Sequence, residues 1–352
     1  MKRYTRHIAA CRTRAQGSWL CTRSGMLYMT ICLAPLVLAM AMMLDTSLPF
    51  KIYFGFDDWV ASSSRALHQF VTLTLSVVVE ALPFLVVGVL IAGFAQYSRL
   101  TDRLIARLPK NVLARRFVLS FVGVALPVCE CGNIPLMRSF IRKGLSVPDA
   151  VAFLFAAPVV NPVTIVATMT AFTFWPEMTW WRVGAALVIA QGIALVASRF
   201  SPKTQLQDDF VLTCSVAHHK KVSLLDSMQS ELWTMSKMLL VGALIAAATQ
   251  VFVPRDVITA IGSNVIMSII AMTLLGIVIS ICSSVDAFFA LAYARSFPPS
   301  ALLSFLVIGP IVDIKIFTLL KTTFTTRFIL TLFATAITMS IVISFGASYV
   351  LN

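Results

Sequence analysis

Ten residues, Leu126-Pro127-Val128-Cys129-Glu130-Cys131-Gly132-Asn133-Ile134-Pro135, lie between two apolar runs, Phe117 to Val128 and Ile134 to Ile141. At roughly 1.5 Å per helical residue, each run reaches about halfway across a bilayer. Two thiols, a carboxylate and a carboxamide in such a place are costly, so they point to function. Two prolines and a glycine predict that no helix continues through them. Non-helical backbone is tolerated at that depth only where protein buries it or where it lines a cavity. The plain alternative is that Cys129 and Cys131 are small buried hydrophobes.

The rest of the chain agrees that the setting is a membrane. Of 352 residues, 59% are hydrophobic and 12% charged, with mean hydropathy +0.89, more apolar surface than a soluble core can hide. The fold class is therefore an all-α polytopic membrane protein. The net charge of +13 does not indicate nucleic acid, because the basic residues sit in short segments beside apolar runs, where the positive-inside rule places them. Seven cysteines at 11, 21, 32, 129, 131, 214 and 282 have neither zinc-ribbon nor disulfide-framework spacing.

Taken in order, residues 1–25 form a basic cytoplasmic N-terminus, and 26–44 an uncleaved extra transmembrane helix. Residues 45–69 make an outside loop. A first transmembrane repeat covers 70–199, a cytoplasmic linker 200–230 and a second repeat 231–352. Within the first repeat, the span 70–97 is interrupted by Glu80 and Pro83, and the basic segment Arg99 to Arg116 must be cytoplasmic. Basic residues also follow the cysteines, at Arg138, Arg142 and Lys143, so Phe117 to Ile141 is expected to be a re-entrant hairpin. Its counterpart is Val265 to Ala294, opening outside. The apolar stretch 147–175 carries Ala157-Pro158-Val159-Val160-Asn161-Pro162 halfway along, where the prolines free the carbonyls of Leu154 and Pro158. His218-His219 in the linker is a metal-binding or merely solvated pair.

The second repeat restates the first. Val86-Val87-Gly88 aligns with Leu240-Val241-Gly242, and Gln96 with Gln250; with single-residue slips Cys129 aligns with Cys282, Asn133 with Asp286 and Asn161 with Asp313. The first repeat holds an odd number of full crossings, so the second enters upside down, giving inverted-topology repeats with re-entrant hairpins and broken helices. This topology puts 21 Lys and Arg on the cytoplasmic side and 5 outside, the latter including Arg182. The C-terminus is then outside.

Inverted repeats bring their broken helices together near the bilayer centre. The candidate substrate-binding set is Cys129, Glu130, Cys131, Asn133, Asn161, Cys282, Asp286, Asp313 and Lys315, with Ser283 and Ser284 alongside. The thiols Cys129, Cys131 and Cys282 are the candidate metal ligands, soft donors that select Cu(I), Zn and other thiophilic species over Mg or Ca. Lys315 and Asp313 do not share a face of a regular helix, but the break at Gly309-Pro310 lets them pair, for function or simply to offset two buried charges. Glu80 is a candidate proton carrier, although its repeat mate is Thr234.

At these positions the chain resembles a known family. Pro127-x-Cys129-x-Cys131-Gly132, Ala157-Pro158-x-x-Asn161-Pro162, Cys282-Ser283-x-x-Asp286-Ala287-Phe288 and Gly309-Pro310-x-x-Asp313-x-Lys315 are similar to the signatures of the predicted-permease family that contains the ArsP-type organoarsenical efflux permeases and the YraQ-like proteins. The resemblance covers about residues 70 to 350. It implies a multi-pass bacterial inner-membrane permease and carries over onto Cys129, Cys131, Asn161, Asp286 and Asp313. Some members are associated with efflux of trivalent organoarsenicals and others with export of copper or zinc.

The expected function is a membrane permease, not an enzyme, exporting a thiophilic metal ion or metalloid compound. Its expected partners are the lipid bilayer and a small inorganic or organometalloid substrate, with no nucleic acid and no cofactor. The absence of GxxxxGK[ST] means that any ATP coupling needs another chain. Two alternatives belong to other classes: an intramembrane thiol-redox enzyme, and a small-solute channel with structural cysteines.

Overall fold

The computed structural model describes residues 65–125, 128–201, 205–207, 210, 224–252 and 264–351. The expected helix at 26–44, most of the outside loop, Leu126 and Pro127, His218 and His219, and the cysteines at 11, 21, 32 and 214 lie outside the described residues.

Fourteen helices follow one another among the described residues. They are α1 (Arg65–Tyr97), α2 (Arg99–Arg107), α3 (Val112–Ser120), α4 (Val122–Ala125), α5 (Glu130–Arg142), α6 (Val147–Ala156) and α7 (Pro162–Ala171), then α8 (Glu177–Ala197), α9 (Leu224–Phe252), α10 (Val265–Ile279), α11 (Asp286–Leu291), α12 (Pro299–Ile308), α13 (Ile314–Leu320) and α14 (Thr326–Leu351). Four of these, α1, α8, α9 and α14, are long and apolar enough to cross a membrane. Without water to take backbone hydrogen bonds, a helix is how an apolar segment satisfies its own polar groups. The protein is an all-α polytopic membrane protein.

Two short helices, α6 and α12, are buried almost residue for residue; α6 packs against α3, α5 and α8, and α12 against α8, α10 and α14. A helix apolar on every side belongs in such a place. Ser146 caps α6 by accepting from the Asp149 N–H. The Asp149 carboxylate, itself buried, takes Arg115 at 2.7 Å and Arg116 at 3.2 Å, fastening α3 to α6.

Both central helices stop at a proline-containing break, and the two breaks share one hydrogen-bond pattern. In the first, Ala157 N–H donates to Phe153 O and the N–H groups of Val159 and Val160 to Ala156 O; then the Asn161 side chain accepts from Val163 N–H at 2.9 Å. In the second, Gly309 donates to Phe305 O and Ile311 and Val312 to Ile308 O; then the Asp313 side chain accepts from Lys315 N–H at 3.0 Å. Asn161 and Asp313 thus cap α7 and α13, as short polar side chains do at a helix start. The cysteine segments also match: Gly132 and Asn133 donate to Cys129 O, and Val285 and Asp286 to Cys282 O.

Two expected interruptions are not there. Helix α1 runs continuously through Pro83, and α5 runs through both Gly132 and Pro135, with the break falling before Glu130 instead. Pro135 removes only one helical bond, and the rest of the helix is held by packing. Gly132 does not break α5 because its work is steric: a Cβ there would meet Val128 and the Phe84 carbonyl, and one on Gly88 would meet the Gly132 backbone. Such close approach maximises van der Waals contact where no hydrophobic force drives helices together. Gly242 of α9 fits against Thr318 and Lys315 of α13 in the same way.

Helix α9 begins at Leu224, inside the stretch expected as linker. Described linker residues are docked: Gln205 donates to Ala197 O and Phe200 O, Leu206 bridges Phe324, and Gln207 donates to Thr323 O. At this same end Lys143 donates to Ser98 O and pairs with Asp102, and Arg138 and Arg142 pair with Glu231. This basic face therefore collects the C-terminal ends of α1, α5, α8 and α13 and the N-terminal ends of α9 and α14. Helices α1 and α8 run toward it; α9 and α14 run away.

Candidate functional site

Cys129 precedes α5 with extended backbone (φ −72°, ψ 176°), and Glu130 opens the helix. Cys282 lies in the non-helical stretch between α10 and α11. The two sulfurs and a Glu130 carboxylate oxygen all lie within 4.8 Å of one another, and all three residues are buried. Cys282 Sγ is 3.8 Å from Glu130 Oε2, Ser283 Oγ donates to the same oxygen at 3.4 Å, and Ser284 Oγ approaches Cys282 Sγ at 3.5 Å. Of the candidate thiols, Cys131 is buried but falls outside this set: it follows Glu130 directly in α5, so its side chain leaves the helix about 100° further round.

Lys315 lies between two acids, 3.3 Å from Asp313 Oδ2 and 3.9 Å from Glu130 Oε1. The pairing expected across Gly309-Pro310 is present because Asp313 is extended (φ −143°, ψ 151°) at the head of α13. Asp313 also accepts a close hydrogen bond from Ser280 Oγ. Ser280 has left-handed backbone (φ 55°, ψ 43°), which a non-glycine residue holds only when its surroundings insist. Gln250 then donates to the Ile279 carbonyl at 2.9 Å, satisfying the end of α10.

The two asparagines grip one atom. Asn133 Nδ2 and Asn161 Nδ2 each donate to Val128 O at 3.3 Å, a carbonyl freed by the break before α5. Asn133 Oδ1 has no hydrogen-bond partner among the described residues, which leaves a buried acceptor available to a ligand. Glu80 is half-buried on α1.

Asp286 does not belong to the sulfur–carboxylate set but forms an ion pair with Arg182, 2.5 Å away. Arg182, expected at the outside end of its span, is fully buried in α8, where it also donates to Thr168 Oγ1 at 2.7 Å and Ser283 O at 3.4 Å. The physical reason is helix length: α8 starts at Glu177, not at 182, so Arg182 is already more than one turn inside. Its only signal in the sequence is a lone arginine within an apolar helix, which by default needs a buried partner. Ser280 and Thr168 carry no comparable signal.

Chemically, the set joins two soft donors and one hard donor from two separate segments of the chain. A thiophilic ion with bonds of about 2.3 Å to sulfur spans S···S separations up to about 4.6 Å, so little movement is required to bind one.

Residues 66–352 match the ArsP-type family described as "Predicted permease". A protein of Streptococcus mutans described as "Putative two-component membrane permease complex subunit" is 32% identical over 269 residues, covering 74% of this chain and 89% of the relative. The UPF0718 protein YcgR of Bacillus subtilis is 33% identical over 274 residues, covering 76% and 93%. No solved structure matches the chain. With its four membrane-length helices inside the matched region, the chain belongs to the predicted-permease family.

Proposed function

We propose that this membrane permease exports a thiophilic metal ion or metalloid compound through a site built where two inverted repeats meet. The observation that carries the substrate class is the convergence of Cys129, Glu130 and Cys282. Soft sulfur selects soft substrates, and the set is shared between two separate parts of the chain. The repeat reading is supported by the matched hydrogen bonds at Asn161 and Asp313 and at Cys129 and Cys282. It is supported too by the opposite directions of α1 and α9 and of α8 and α14. Units inverted about the bilayer midplane are how many secondary transporters build alternating access.

In this reading Asn133, Asn161, Asp286, Asp313 and Lys315 shape and neutralise the site, Cys131 is a reserve thiol, and Glu80 carries protons. The basic face is cytoplasmic in a bacterial inner membrane, with the N-terminus on that side and the C-terminus outside. The subunit description of the streptococcal relative makes a second polypeptide worth seeking by co-purification.

The test is export from cells lacking the native chain, challenged with silver(I), copper, zinc and trivalent arsenicals. Cys129→Ser and Cys282→Ser should each abolish resistance to the cognate toxin while the protein accumulates normally, and Cys32→Ser should have no effect. Wild-type export by both site variants would refute the substrate class, leaving the polar residues as the site of a non-thiophilic solute.

A further inference from the structure

The site-forming ends of α5 and α13 have a common anchor at their other ends. Arg138 of α5, itself buried, pairs through Nε with Glu231 of α9 at 2.5 Å. Its Nη1 donates to Thr322 O at 3.1 Å, to Thr322 Oγ1 at 2.8 Å and to Thr323 Oγ1 at 3.0 Å, just beyond α13. Arg142, one turn on, takes the second Glu231 oxygen at 2.5 Å. The Phe210 ring of the linker lies under both guanidinium groups, 4.7 and 5.5 Å from their central carbons, a favourable placement for a cation. From Glu130 to Arg138 is about 12 Å along the helix, and from Lys315 to Thr322 about 10 Å. The turns between carry Ile134, Met137, Ile316 and Leu319, all buried in one apolar cluster.

We propose that Arg138 is a positioning residue that, through Glu231 and Thr322, clamps α5 to α13 and closes the Cys129–Glu130–Cys282 site to the basic face. A guanidinium is suited to this because its planar fork holds several acceptors at once, whereas an ammonium is a point charge. The carboxylate of Glu231 has two arginines on it, so opening this side must separate largely buried charges. The proposal rests on the site lying at Cys129, and it holds whatever the substrate proves to be.

The full-length protein is treated in right-side-out and in everted vesicles with a membrane-impermeant cationic methanethiosulfonate, and modification of Cys129 is followed by peptide mass spectrometry. In the wild type, Cys129 should react slowly from the basic face. Glu231→Gln and Arg138→Gln should each accelerate it from that face by about tenfold or more, the factor that corresponds to about 1.4 kcal/mol of lost closing energy, with no rise from the opposite face. Arg138→Lys should be intermediate. Thr322→Val leaves the ion pair in place and should give a smaller rise in the same direction, so the proposal stays testable if a charge variant fails to accumulate. Unchanged reactivity from the basic face in the variants that accumulate, or an equal rise from both faces as general loosening would give, overturns it. The reading of the site fails by a separate result, undiminished silver(I) binding in Cys129→Ser, which says nothing about which face admits the reagent.

Discussion

Asp286 and Arg182 show how much depends on single partners in a medium without water. Each is buried, and they meet at 2.5 Å. Removing one partner of a buried pair strands the other, at a cost of about 3–5 kcal/mol, whereas replacing both with apolar groups of similar volume is often neutral. Asp286→Ala should therefore lower the thermal midpoint of the purified protein sharply, and the double variant Asp286→Ala, Arg182→Met should recover most of the loss. Equal loss in the single and double variants would show that the pair is not the source of the effect. A second expectation concerns Asp313, which caps α13 and takes the Ser280 hydroxyl. Asp313→Ala should cost about 1–2 kcal/mol for the cap and more for leaving Lys315 with Glu130 alone, read in the same melt. That Cys129, Glu130, Cys282, Asp313 and Lys315 come together could be expected from the sequence because polar groups in an apolar run need partners. Arg182 could not be placed because its burial depends on where α8 starts and on an acid 104 residues away.

Among the helices, the sequence was most legible where covalent chemistry decides. Proline at 158, 162 and 310 cannot continue a hydrogen-bond ladder, and the breaks at 157–161 and 309–313 follow. Where packing decides, it was less so. Pro83 and Pro135 sit inside intact helices, since one missing bond does not end a helix held by its neighbours. Gly88 and Gly132 look alike as helix breakers and as contact points until the partner helix is known; here they are contact points. Gly88→Val should consequently push α1 from α5 and cost at least about 1–3 kcal/mol through overpacking. The same change at Gly184, which meets nothing within 4 Å, should leave the melting temperature close to that of the wild type.

For the molecule as a whole, the placement of element ends on two faces is open to direct mapping. Cysteines introduced at Gly144 and Thr325, at turns of the basic face, should be labelled from one side of the membrane, and one at Tyr349, near the end of α14, from the other. Labelling of all three from one side would contradict the directions of the long helices. There is also a consequence in time. Ion pairs join the early and late parts of the chain: Arg182 to Asp286, Glu130 to Lys315, and Arg138 and Arg142 to Glu231. A ribosome adding about 5–20 residues per second delivers Asp286 roughly 5–20 s after Arg182, and for that interval the nascent first half holds a cation whose ion-pair partner among the described residues has not been made. It must wait half-assembled, with Arg182 at a watery or lipid-headgroup boundary, and it can close into its final core only when the second half arrives.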